Sequence, residues 1–482
     1  MSIVTDEQII KVLHQYNPWW RTSTITKSQT KPQKRLSYYE AYKILTHKSI
    51  RRFAILSGLR RVGKTTIMYQ LIDTLLNMNI NPKNILYVSF DNPILKFTNM
   101  DNVLSMYNDL YPTQGTKYIF FDEIQYTDNW ELWMKVIYDN NPDIRLIATG
   151  SASPILEKNS TDSGTGRWTI LKIPTLSFYE YCKLLEIDLP NIPDNIDISN
   201  ISKLDYSTLY DFVNKFKPLQ NHFNRYLTIG GFPELALSDD DLYAQRILRE
   251  DVVDKVLKRD IMTLFNIRNP ALMEKIFLYL CLNETEIFNV QTVSKELDNI
   301  AVNTINTYID ALKMSNLIYV SNPINVGSKG SLKGKPKIYI SDAAICNAVL
   351  MIDDILSNST LLGSIVETAV FKHVSTYYCQ ELAKVGYFRK AKNNQKEIDV
   401  VVELPRSKIL FEVKYKNNSH IPESDAIVEL CKMDNTDISS AFLVTKHIDD
   451  FGIAKHDTNV PIFRIPAIVL LYLLGKNEPY HH

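Results

Sequence analysis

Nine residues, Gly58-Leu-Arg60-Arg61-Val62-Gly63-Lys64-Thr65-Thr66, constrain the fold of this chain more than any other stretch. The apolar run Phe53–Ser57 precedes them, and a pattern of helical periodicity from Thr66 to Leu76 follows, so the order is strand, loop, helix. The spacing G-x-x-x-x-G-K-[ST] has a mechanism. Two glycines let the backbone curl until its N–H groups face a polyphosphate, Lys64 reaches the terminal phosphates, and the Thr65 hydroxyl serves Mg²⁺. The helix after the loop turns its partial positive end toward the same anion. Gly58 and Arg60 to Thr66 are therefore the expected nucleotide-binding residues, with ATP and Mg²⁺ as cofactors.

A partner motif lies downstream. Lys117-Tyr-Ile-Phe-Phe-Asp122-Glu123 reads as a buried aromatic and β-branched strand that ends in two carboxylates. At the carboxyl end of a parallel strand, Asp122 is expected to hold the metal through water and Glu123 to activate the attacking water. Strands expected near 53–57, 85–90, 118–122 and 144–149, with helices between them, make residues 49–180 a parallel α/β core. The fourth strand runs into Thr149-Gly-Ser151, where Thr149 or Ser151 is a γ-phosphate sensor or part of a plain glycine turn. Arg167, after Gly164-Thr-Gly166, is a candidate arginine finger, within the chain or on a neighbouring copy.

The chain of 482 residues has 45% hydrophobic and 22% charged residues, ordinary values for a globular protein, and its length suggests about three domains. Zero formal net charge leaves any nucleic-acid binding to local patches. Five scattered cysteines without C-x-x-C spacing argue against both a disulfide framework and zinc, and fit a reducing cytoplasm. The opening residues lack a secretory signal pattern, and the apolar run Val460 to Leu474 is too short to span a bilayer, so no membrane association is expected.

Residues 1–48 form a polar arm whose aromatic knot, Asn17-Pro-Trp19-Trp20, is expected to dock on the body as packing. A helical lid or connector spans 181–265, broken by Gly230-Gly-Phe-Pro-Glu234. Helices over 289–297 and 302–312 and a strand from Leu317 suggest a winged-helix segment over 266–337. Its second helix carries almost no Lys or Arg, so structural or dimerising use competes with DNA reading. The loop 327–337, with Lys329, Lys333, Lys335 and Lys337, either follows phosphates or is a solvated linker.

Residues 338–482 read as a second α/β unit containing a hairpin. If the turn Pro405–Lys408 closes it, Leu404 pairs with Ile409, Asp399 falls opposite Lys414, and Val401 opposite Glu412. Asp399, Glu412 and Lys414 then share one face, where they either hold a divalent cation beside a phosphodiester or form a surface ion-pair ladder. Glu367, on an upstream helix, adds a third acid.

Asn17-Pro-Trp-Trp20, the loop Gly58 to Thr66, Phe121-Asp-Glu123, Thr149-Gly-Ser151, Gly166-Arg167, Gly230-Gly-Phe-Pro-Glu234 and the final hairpin together resemble the prokaryotic AAA-type P-loop ATPases that carry a carboxyl-terminal DUF4143 region. The resemblance implies an α/β fold: a parallel-sheet P-loop core, a helical lid, a winged-helix segment and a carboxyl-terminal domain similar to PD-(D/E)xK (restriction-endonuclease-like) nucleases. In that motif Asp399 looks like the first acid, Glu412-Val413-Lys414 like E-x-K, and Glu367 like the helical acid, although Glu397-Ile398 stands where the motif name has proline. It further implies ATP hydrolysis with Lys64, Glu123 and Arg167 in catalytic roles and Thr65 and Asp122 at the metal. A second divalent cation at the carboxyl-terminal site, DNA as a partner of that domain, and homo-oligomers complete the expectation. A nucleotide-controlled switch with a non-catalytic carboxyl-terminal domain is the alternative.

Overall fold

The computed structural model describes residues 4–150, 166–265, 267–326, 334–352, 354–379, 381–390, 396–434 and 437–478. The chain divides into two compact units, Met1–Pro174 with Met314–Asn316, and Thr175–Lys313 with Leu317–His482.

The first unit is built on five parallel strands, β1 (Phe53–Ser57), β2 (Ile85–Ser89), β3 (Lys117–Asp122), β4 (Ile144–Gly150) and β5 (Trp168–Lys172). Their order is β2-β3-β4-β1-β5, so β4 lies between the strand that feeds the glycine loop and the strand that ends in Asp122. The strands are short and almost wholly apolar because helices such as Lys64–Asn77 and Trp130–Asn140 connect them, and a parallel sheet must bury both faces. The carboxyl ends of β1, β3 and β4 then converge on one edge of the sheet.

The arm belongs to this unit. Its helix Asp6–Tyr16 starts at a capping box made by Thr5 and Gln8 and delivers Asn17 to the exposed side of β2, which is an edge strand. There the Asn17 amide works like a peptide group of a further strand: Oδ1 accepts from the Tyr87 N–H at 2.6 Å and Nδ2 donates to the Tyr87 carbonyl at 2.9 Å. Trp19 and Trp20 both donate indole N–H bonds to the Ile85 carbonyl, at 3.1 and 2.8 Å. The tryptophan pair is thus packing with a polar handle, as expected, and it covers the edge.

The second unit contains a mixed eight-stranded sheet of β6 (Ile318–Pro323), β7 (Lys337–Ile340), β8 (Lys384–Arg389), β9 (Glu397–Glu403), β10 (Lys408–Lys414), β11 (Ile438–Thr445), β12 (Gly452–Ile453) and β13 (Ile462–Pro466). Its order is β12-β13-β11-β10-β9-β8-β6-β7. Helix Ser359–Tyr377 is buried through its middle, and helix Ala467–Lys476, almost entirely buried, accounts for the apolar run near the chain end. Helices Val290–Glu296 and Val302–Met314 precede the β6–β7 hairpin, where a winged helix was expected. The hairpin is not a free wing, because Asn322 and Pro323 of β6 go on to pair with Gly386 and Tyr387 of β8.

Gly230-Gly231-Phe232-Pro233 has a structural explanation. Gly230 has φ +76°, and a Cβ there would lie 2.2 Å from Asp342 Oδ1, while one on Gly231 would lie 2.4 Å from the Leu176 carbonyl oxygen. Asp342 is the buried hub of this region, accepting from Thr175, the Gly231 N–H and Lys372. Among the described residues, no helix is long and apolar enough to cross a membrane.

Candidate active site

The glycine loop closes on itself. Gly63 has φ +95° and starts the helix, a left-handed turn that glycine adopts without penalty. Gly58 is needed for a different reason, since a Cβ there would stand 2.2 Å from the Ile173 carbonyl oxygen. Lys64 is buried and donates to the carbonyls of Gly58 and Leu59, each at 2.8 Å, which folds its ammonium across the loop. Arg35, from the arm, donates to the Val62 and Pro174 carbonyls at 2.8 Å and braces the loop from behind.

Asp122 gathers three hydroxyls. Thr65 and Tyr87 donate to its Oδ2, both at 2.8 Å, and Thr149 donates to Oδ1. Thr149 Oγ1 also accepts the Glu123 N–H at 2.9 Å, so the threonine ending β4 ties the two acids together. Glu123 itself has φ +53°, a strained conformation for a non-glycine residue. Its carboxylate accepts from Gln125 Nε2. Burial raises the Glu123 pKa above the ordinary glutamate value, Lys64 opposes the rise and Asp122 adds to it. An oxygen-rich pair of Thr65 hydroxyl and Asp122 carboxylate, already in contact, suits Mg²⁺, and the lysine-bearing glycine loop beside it suits a polyphosphate.

One expectation changes here. Arg167 lies just before β5, its carbonyl accepts the Phe53 N–H at 3.0 Å, and its guanidinium forms a two-pronged pair with Asp139 at 2.9 and 3.0 Å. It therefore sits at the amino edge of the sheet, about 16 Å of strand away from the loop at the other edge, and is no finger for its own site. Ser151 lies outside the described residues.

The acids of the second unit are arranged differently from the expected hairpin. Glu403 pairs with Lys408 and Val400 with Phe411, two residues out of the anticipated register, so continuing the ladder sets Asp399 toward Glu412 rather than Lys414. A bulge places Asp399 and Val400 together across from Tyr387, which interrupts the alternation on which a common face was argued. The Asp399 carboxylate instead accepts the Val413 N–H at 2.8 Å. Lys337 overturns a second expectation. Far from following phosphates, it is 3% exposed and its ammonium lies 3.0 Å from Glu367 Oε1 and 3.7 Å from Asp399 Oδ1, with Glu397 also paired to it. Tyr339 donates to Glu367 at 2.9 Å. Lys414 pairs with Glu412, whose other oxygen has no hydrogen-bond partner. Burial and then Asp399 raise the pKa of both Glu367 and Glu412. Among the described residues, no three Asp, Glu, His or Cys side chains are gathered as metal ligands, while Asp399 stands near enough to Glu367 and Glu412 to raise the pKa of both. The lysine of β7 stands among these acids instead.

Sequence reasoning passed over Tyr87, Arg35 and Gln125, noted Asn17 only as part of a packing motif, and placed Lys337 in a solvated loop. A tyrosine inside a hydrophobic strand looks like any other.

Residues 51–182 match a family model described as an AAA domain. Residues 220–355 and 362–465 match two models described as domains of unknown function, DUF8612 and DUF4143. An uncharacterized protein of Methanocaldococcus jannaschii is 27% identical over 397 residues, which is 80% of this chain and 81% of that protein. A second from the same organism is 25% identical over 82% of each chain, and one from Haemophilus influenzae is 25% identical over 60% of this chain and 66% of its own length. Among solved structures, the Aeropyrum pernix ORC1 protein in complex with DNA is 13% identical, covers 68% of this chain and 92% of its own, and has a TM-score of 0.29. The Thermotoga maritima RuvB Holliday junction branch migration motor is 14% identical, covers 66% and 89%, and has a TM-score of 0.25.

Proposed function

We propose that this chain, an AAA-type P-loop protein with a carboxyl-terminal DUF4143 region, is a magnesium-dependent ATPase. The observation that carries the reading is the contact of Thr65 with Asp122 beside Lys64 and Glu123. Lys64, now on loop carbonyls, exchanges them for terminal phosphate oxygens. Thr65 and Asp122 hold the metal, which when bound neutralises charge on the phosphates. Glu123, anchored by Thr149 and Gln125, orients the attacking water and takes its proton.

Lys64→Ala is expected to weaken magnesium–ATP binding in calorimetry, and Glu123→Gln to keep binding while phosphate release falls about 100-fold or more. Phosphate release by Glu123→Gln equal to that of wild type would sink the assignment.

A second reading concerns the DUF4143 region: it binds a partner, DNA being the candidate, without cutting it, and bound nucleotide sets its availability. The ammonium of Lys337 among Glu367, Glu397 and Asp399 favours this over a nuclease, because it supplies there the positive charge a divalent cation would bring. Plasmid and single-stranded DNA incubated with Mn²⁺ and ATP should stay intact. Cleavage by wild type that disappears in Lys414→Ala would overturn the non-catalytic reading.

A further inference from the structure

We propose that Tyr87 is a positioning residue for the magnesium carboxylate Asp122, and that the amino-terminal arm fixes it there through Asn17. The proposal rests on the ATPase reading above and extends it to residues outside the glycine loop and the acid pair.

Asp122 ends β3, which is flanked by β4 on one side and β2 on the other. Thr149 holds its Oδ1 from β4, and Tyr87 donates to its Oδ2 from β2 at 2.8 Å, on the same oxygen that receives Thr65. Without the phenol, the carboxylate keeps its partners on the loop helix and β4 and loses the Tyr87 restraint from β2, so it gains freedom to rotate away from the metal. The phenol itself has little freedom. Tyr87 is 3% exposed, with the ring of Tyr16 from the arm at 5.8 Å and the ring of Tyr69 from the loop helix at 4.9 Å. Its main chain is gripped at both polar atoms by Asn17, at 2.6 and 2.9 Å. Displacing the arm therefore displaces the strand residue whose side chain aims the carboxylate.

The test is calorimetric binding of ATP at a series of magnesium concentrations, with full-length wild type, Tyr87→Phe and Asn17→Ala, and melting temperatures measured alongside. Tyr87→Phe keeps the ring and removes the hydroxyl. It should raise the magnesium midpoint about tenfold and leave ATP binding in EDTA unchanged, with Asn17→Ala moving the midpoint the same way by several-fold. Lowered melting temperatures with unchanged midpoints would show a merely structural role and overturn the proposal. Should Tyr87→Phe fail to fold, the midpoint of Asn17→Ala decides alone. Wild type that binds no magnesium–ATP would bring down the ATPase reading and this proposal together, whereas normal wild-type binding with unmoved midpoints brings down only the proposal.

Discussion

At the scale of single residues, the backbone of Glu123 is the informative outlier. A left-handed conformation at a non-glycine residue costs about 1–2 kcal/mol, and it persists here because Thr149 Oγ1 accepts its N–H at 2.9 Å. The turn also carries the carboxylate into a buried place beside Asp122, and burial is the first cause of its raised pKa. A general base works only when ionised, so a raised pKa moves the acid limb of the rate profile upward. The kcat/KM for ATP, which reports the free enzyme, is expected to fall on acidification at a pH above the ordinary glutamate value of about 4.3. A flat kcat/KM profile down to that value would remove burial from the account of this residue. Gly58 shows the same economy of explanation, since the loop needs it for the close approach of Ile173.

At the scale of elements, four of the five strands of the first sheet were legible because parallel strands buried on both faces read as continuous apolar runs. The glycine loop and acid pair were legible because each has fixed spacing and a strand or helix on its flank. Strand order was not, and with it went the meaning of Thr149, which depends on β4 lying next to β3. The hairpin shows the limit most clearly. A turn one residue earlier at each side moves the register by two, which changes every pair but, being even, leaves each side chain on its expected face. The bulge at Asp399–Val400 does not preserve alternation, and nothing in Glu397-Ile-Asp-Val-Val announces it. Lys337 was misplaced for a related reason: β7 begins with the residue that seemed to end a basic loop, and tertiary pairing with Glu367 decided where the strand starts.

At the scale of the whole molecule, the second unit carries a pH dependence of its own. Glu284 is buried, accepts the Thr368 hydroxyl at 2.7 Å, and has its pKa pushed up to about 7, chiefly by burial, with hydrogen bonds from Thr368 and Cys346 opposing. The folded chain thus binds this proton more tightly than the unfolded chain. Its stabilising contribution is complete below about pH 4.5 and is lost as pH rises to about 7, by at most about 3 kcal/mol. The raised pKa of Glu367 acts in the same direction. Denaturation followed by far-ultraviolet circular dichroism should therefore show stability declining from pH 5 to pH 7.5, and Glu284→Gln should flatten part of the decline. All five tryptophans, Trp19, Trp20, Trp130, Trp133 and Trp168, lie in the first unit, so indole fluorescence is the signal in which magnesium–ATP should raise the unfolding midpoint.

The seal that Asn17, Trp19 and Trp20 place over β2 has a practical side. A shortened protein starting at residue 49 would retain every phosphate-facing group yet bare the outward peptide groups of Ile85 and Tyr87, a ready template for strands of other molecules. Aggregation of such a fragment would be a fault of its uncovered margin and would say nothing against the chemistry it carries.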